Sequence, residues 1–305
     1  MAQLPDDSSA ISRAALLALS FVLVLVWGSA FTLVGVGVKF LSPIWLVAYR
    51  LLIGAVILIA YVKLKGETFP KLTDSRWLWY FGLGLTGMVI PFFLISTGQL
   101  KVDSGLSAII VGAMPLITIV LAHFFTDERL TPIKTLGFFI GFLGIVVLFL
   151  PDNLSLDLVE DWREQLLILL GAGCYAVTTV AAKRAPKTKS SVGAAMMLMS
   201  AAIVGMIWAS LTGLPDLVPP WEGLAAAAGL GLGSTAFATI IYLYIIEKTG
   251  PSTLAKINYF VPLASVVLGI SFLNEPFTWR MVVSFLIILA GIMVARRGER
   301  KATNP

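Results

Sequence analysis

Apolar stretches of close to 20 residues recur along this chain from one end to the other, and no other feature limits its fold as much. About 20 such residues wound as helix cross the roughly 30 Å hydrocarbon layer of a bilayer. Ten spans are read: 16 to 38, 43 to 63, 77 to 97, 104 to 125, 132 to 150, 166 to 184, 192 to 212, 222 to 245, 253 to 273 and 279 to 296. Inside lipid a helix pairs its own backbone N–H and C=O groups, so the expected fold class is an all-α polytopic membrane protein. Charged residues make up only 13% of the 305 positions, against roughly a quarter in soluble domains, which excludes an ordinary soluble domain. The first span is too long for the apolar core of a signal peptide, and no A-x-A-like site follows it. It is read as helix one.

With the N-terminus inside, 16 of the 22 Lys and Arg fall in cytoplasmic segments, and only Lys39, Lys101, Arg163 and Arg280 fall outside. This bias predicts an orientation with both termini cytoplasmic. The net charge of +5 is thereby a topology signal, since a nucleic-acid surface would gather its charges on one face. Cys174 is the only cysteine, so no intrachain disulfide can form, and no Cys and His cluster has metal-ligand spacing. No metal and no cofactor are expected.

Shifting the sequence by 147 positions lays residues 82 to 144 on 229 to 291 without a gap, with 17 of 63 pairs identical. Pro115 meets Pro262, Glu128 meets Glu275, Thr131 meets Thr278 and Gly144 meets Gly291. The repeat holds five helices. Because five is odd, the second copy enters the membrane from the opposite side, which predicts two inverted repeats, 14–150 and 166–296, around a central cavity. That architecture belongs mostly to carriers.

WGSAF at Trp27 to Phe31, Arg50 in the second span, and the run from Gln99 to Thr131 with its echo from Glu247 to Thr278 resemble the EamA family of the drug/metabolite transporter superfamily. Within it the chain is similar to YddG-type amino-acid exporters. The resemblance covers roughly residues 14 to 296 and implies ten helices, a central cavity, export of metabolites and a place in the bacterial inner membrane, among its lipids. Two departures stand out: Met197 occupies the position equivalent to Arg50, and Pro276 that of Arg129.

Pro115 lies roughly 16 Å into its span and Pro262 about 14 Å into its own, at about 1.5 Å per residue, so both reach the bilayer midplane. A mid-span proline removes a hydrogen bond and bends its helix, which is tolerated against protein or a wet cavity. Trp27 is the one tryptophan near mid-depth, and its indole N–H needs a partner that either a bound solute or a backbone carbonyl can supply. Phe31, four residues on, shares its face. Helix six brings Tyr175, Thr178 and Thr179 to a similar depth, helix eight Ser234, Thr235, Thr239 and Tyr242, and helix nine Tyr259 beside Pro262. Their hydroxyls can bind a solute or join helices. Arg50, a buried charge, can hold a solute or tie helices together. The substrate-contact candidates are therefore Trp27, Phe31, Tyr175, Thr179, Thr239 and Tyr259, with Pro115 and Pro262 as kinks.

All 17 acidic residues fall in loops, tails or span ends, leaving no mid-depth carboxylate for a proton or a cationic drug. Glu128 and Glu275 precede Thr131 and Thr278 and are read as caps for helices five and ten. Gly82 to Gly87 matches G-x-G-x-x-G but lies inside a span, where small residues serve close packing, as do Gly137 and Gly141. No nucleophile and base pair supports an enzyme, and no Walker A sequence occurs. The aromatic, hydroxyl-rich and nearly uncharged inventory suits a small neutral or zwitterionic solute such as an amino acid. An intramembrane enzyme, a channel, or an exporter of another metabolite or drug class are the competing readings, and the working unit is taken as a monomer.

Overall fold

The computed structural model describes residues 12–126, 130–149, 162–213, 219–249 and 257–303, and no strand occurs among them. Its rods are α1 (Arg13–Gly37), α2 (Pro43–Leu64), α3 (Arg76–Gly98), α4 (Ser104–Phe125), α5 (Pro132–Phe149), α6 (Trp162–Ala182), α7 (Ser190–Leu211), α8 (Trp221–Thr249), α9 (Val261–Leu273) and α10 (Trp279–Thr303). Eight of them are long and apolar enough to cross a bilayer, and α5 and α9 are shorter apolar helices. The chain is a polytopic helical membrane protein. Leu17, Phe21, Phe139, Val267 and Leu286 stand exposed along the rods, as lipid-facing side chains do. Most expected span ends lie within a few residues of the observed ones. Residues 253 to 256 of the ninth expected span, Lys256 included, lie outside the described residues.

Local chemistry sets the helix starts. Ser12 Oγ accepts the Ala15 N–H at 3.1 Å and so opens α1, and Pro43 opens α2 at a position where the missing N–H has no role. Asp74 opens α3 by accepting the Arg76 N–H at 2.9 Å and pairing with its guanidinium at 2.7 Å. The hydrogen bonds from Arg76 hold the Asp74 carboxyl below the usual carboxylate range, at about 2. Thr131 and Thr278 accept N–H groups in the first turns of α5 and α10, as an N-cap does. Glu275, expected to favour the start of α10, instead accepts from the Ser104 and Gly105 N–H groups at 2.7 and 3.0 Å. It caps α4. Four unpaired N–H groups at that helix start attract an acid more strongly than a start already served by Thr278. Glu128 lies outside the described residues.

Three rods are irregular. In α3 the stretch Leu85–Val89 and in α8 the stretch Leu230–Phe237 widen into π-helix. Such widenings insert one extra residue into the i→i−4 ladder and are frequent at functional sites. Pro115 cannot donate a backbone hydrogen bond, so α4 breaks at Ala113, where the Ala113 N–H turns to Ile110 O at 3.1 Å and the Leu116 N–H to Ala113 O at 3.0 Å. Pro262 likewise stands in the first turn of α9, preceded by a Phe260 N–H bonded to Ile257 O at 3.0 Å.

Small residues set the closest crossings. A Cβ at Gly28 would lie 2.7 Å from Ala264 Cβ, where α1 crosses α9, and one at Gly291 would lie 2.6 Å from both Gly137 O and Gly141 Cα, where α10 crosses α5. In lipid such contacts rest on van der Waals packing, because lipid tails are as apolar as the helix faces. Gly84 likewise serves packing, with Met197 O 2.6 Å from where its Cβ would be.

Candidate functional site

Arg50 lies about 10 Å along α2 from Pro43. It is 8% exposed, its Nε donates to Thr235 Oγ1 at 2.8 Å, and its guanidinium carbon stands 3.7 Å above the Phe92 ring centroid. Phe92 meets Tyr175 edge-on, with centroids 6.4 Å apart. Four helices, α2, α3, α6 and α8, thus meet at one charge. Their approach follows from small residues: a Cβ at Gly231 would lie 3.0 Å from Arg50 O, and one at Gly54 would lie 2.8 Å from Thr235 Cγ2. Thr235 belongs to the π-helical stretch of α8, which widens the turn that presents its hydroxyl to Arg50.

Among the described residues no carboxylate pairs with Arg50. Ion pairs such as Arg76–Asp74, Lys101–Glu164 and Lys189–Glu67 lie at helix ends and in loops. A desolvated cation–π contact contributes about 2 kcal/mol. Stripping an ion of water costs several kcal/mol even after relaxation, roughly twice that contact or more. The site is short of negative charge.

The remaining candidates fall into separate groups. Trp27 is half-buried against Tyr242 of α8, with ring centroids 6.0 Å apart, in a cluster with Leu23, Ile241 and Ile245. Its indole N–H hydrogen-bonds no described residue. Phe31 packs instead, as Tyr175 and Tyr259 do, against the separate cluster that holds Ile109 and Ile110, so the two aromatics of α1 reach different neighbours. Thr179 is exposed and Thr239 half-buried, and each hydroxyl donates to a carbonyl one turn back, of Tyr175 and of Thr235. Tyr259 accepts from Arg296 Nη1 at 3.1 Å and lines a narrow crevice with Pro262, away from Arg50. Pro115 is half-buried at the α4 break, and Pro262 is buried against Gly112, where a Cβ would lie 3.2 Å from its Cγ. Phe92 has no counterpart among the sequence candidates. One phenylalanine among 18 carries no signal until α3 is placed against α2.

A cavity of about 570 Å³ opens where α2 and α8 begin and α3 and α7 end, lined by Phe40, Trp45, Phe93, Thr97, Thr212 and Pro220 among others. Phe93 packs on Trp208 of α7, with ring centroids 4.5 Å apart, whereas Phe92, one position earlier, faces Arg50. Among the described residues no group of three His, Cys, Asp or Glu is placed to hold a metal ion.

A bundle of apolar helices with irregular turns at matching places and a buried, uncompensated cation is the build of a membrane transporter. The model of the EamA-like transporter family matches residues 13–150 and again 162–297, and the chain belongs to that family, within the drug/metabolite transporter superfamily. An "uncharacterized transporter" of Archaeoglobus fulgidus is 27% identical over 279 residues, covering 89% of this chain and 95% of its own. The "uncharacterized inner membrane transporter YedA" of Escherichia coli K12 is 27% identical over 250 residues, 82% of this chain and 80% of its own. YoaV of Bacillus subtilis, an "uncharacterized transporter", is 25% identical over 277 residues, covering 88% and 92%. A solved crystal structure shares the fold at TM-score 0.63 and 22% identity, covering 93% of this chain and 98% of that one.

Proposed function

We propose that the protein exports small neutral or zwitterionic metabolites, amino acids including aromatic ones, across the bacterial inner membrane by alternating access. In this reading all ten rods cross the membrane as two inverted five-helix repeats, residues 14–150 and 166–296. The observation that carries it is the pair of matched turns before proline. Ala113 and Phe260 are 147 positions apart, the same offset that superimposes the repeated sequence, and each stands directly before a helix whose second residue is proline. The π-helical stretches Leu85–Val89 and Leu230–Phe237 overlap under the same offset. Interrupted helices in corresponding places of two halves mark the binding region of carriers, where one half rocks against the other. YedA, named an inner membrane transporter, supports the location.

Counterflow tests the reading. Proteoliposomes preloaded with unlabelled phenylalanine, leucine or threonine are expected to take up the labelled amino acid several-fold faster than empty ones, with no imposed pH gradient. Identical uptake into loaded and empty vesicles across all twenty amino acids would reject an amino-acid carrier. The orientation has its own check: tags at both termini should be reached only from the cytoplasm, and a cysteine at position 157 only from outside. Labelling of that cysteine from the cytoplasm would sink the inverted arrangement.

A further inference from the structure

We propose that the Arg50 guanidinium is the docking point for a carboxylate on the transported solute. The inference rests on the carrier reading and narrows it, because amines, amides and sugars without a carboxylate are then poor substrates.

A guanidinium carries five N–H donors in a rigid plane. Thr235 takes the Nε donor, and the Phe92 ring covers one face of the plane, so the group is held in one orientation. Neither Nη group hydrogen-bonds a described residue, although the side chain is buried. Two parallel N–H groups at a fixed edge match the two oxygens of a carboxylate. Tyr175 meets the edge of the same Phe92 ring that Arg50 covers, and its hydroxyl also meets no partner among the described residues. It is a further donor for the same ligand. Acidic side chains are absent from mid-depth by sequence, so the negative charge has to arrive with the solute. The equivalent position in the second half is Met197, and the chain therefore offers one such edge rather than a symmetric pair.

The bland alternative is that Arg50 merely ties α2 to α8 and α3. The two readings differ in the empty protein. A tie that is cut lowers the melting temperature, whereas removing an uncompensated buried cation leaves it unchanged or raises it. Arg50→Met, close in volume and uncharged, is expected to melt at or above the wild type in detergent.

Binding is then read by thermal stabilisation, using the twenty amino acids with pyruvate and benzoate as probes, each amino acid beside its amide and its decarboxylated amine. At least one carboxylate should stabilise the wild type, and its amide and amine should bind at least about 100-fold more weakly, since a buried donor set built for an oxygen pair is left unpaired. Arg50→Gln should weaken the carboxylate by about 30-fold or more. Arg50→Lys, which keeps the charge and loses the fork, should weaken it on the order of tenfold. Amides that bind as well as acids, unchanged affinity in Arg50→Gln, a large drop in the melting temperature of Arg50→Met, or no binding by any carboxylate each overturn the proposal. Counterflow of amines with carboxylates ignored would overturn it and leave the carrier reading standing. Carboxylates that bind through Arg50 and never exchange would uphold the docking point and reject the carrier.

Discussion

Gly291→Ala is expected to destabilise the protein by about 3 kcal/mol, and Gly291→Leu to separate α10 from α5. The added Cβ would sit 2.6 Å from both Gly137 O and Gly141 Cα, and real Cβ contacts do not come that close. Both obstructing atoms are backbone, so no rotamer change can relieve the clash and the two helices must move apart. No hydrophobic effect drives them together again within lipid, where the gain from contact is packing alone. Gly82→Ala is the matched control, because nothing lies within 4 Å of where its Cβ would be. There the better helix former should be neutral or add up to about 1 kcal/mol. Unfolding followed by helical circular dichroism in detergent compares the two. Equal curves for Gly291→Ala and Gly82→Ala would show that the α5–α10 crossing is looser than these 2.6 Å distances require.

The glycines of the α5–α10 crossing show how far sequence pattern reaches. Gly137 and Gly141 stand four apart in an apolar span, a pattern that announces a close helix crossing without naming the partner. Gly291 appears in the sequence only as the repeat mate of Gly144, yet in the fold it lies against Gly137 and Gly141. Periodicity reports which face of a helix is small, and only the assembled bundle reports what that face meets. Arg50 follows the same rule. Its burial and want of a carboxylate are legible from its place in an apolar span and from the acids all lying in loops, tails or span ends. Its contact with Phe92 depends on how α3 turns against α2, and no spacing within either helix encodes that rotation. Trp27 and Phe31 share a face by the four-residue rule, but α1 passes two different neighbours along its length. One aromatic meets α8 and the other meets the cluster around Ile109.

Glu275→Ala is expected to cost about 2 kcal/mol, because its carboxylate makes charge-assisted hydrogen bonds to two N–H groups that have no intrahelical partner. The side chain reaches α4 from the turn after α9, where Asn274 adopts a left-handed conformation with φ 55° and the Glu275 N–H returns to Gly269 O at 3.2 Å. Ser265 reinforces the same junction by donating to Ser104 O at 3.2 Å. The end of α9 is thereby clasped to the start of α4, the two helices that carry the matched prolines Pro115 and Pro262. Glu275→Gln keeps one acceptor oxygen and loses the charge, so it should forfeit about half as much. A second route to the same contact separates the clasp from general effects of charge. Gly269 lies directly under the Glu275 carboxylate, and a methyl there would displace it while leaving the charge in place. Gly269→Ala should therefore reproduce most of the loss, and adding it to Glu275→Ala should cost little more, because both remove one interaction. If Glu275→Ala melts with the wild type, water serves the start of α4 equally well. If the two substitutions add in full, the loss in Gly269→Ala comes from packing and not from displacing the Glu275 carboxylate.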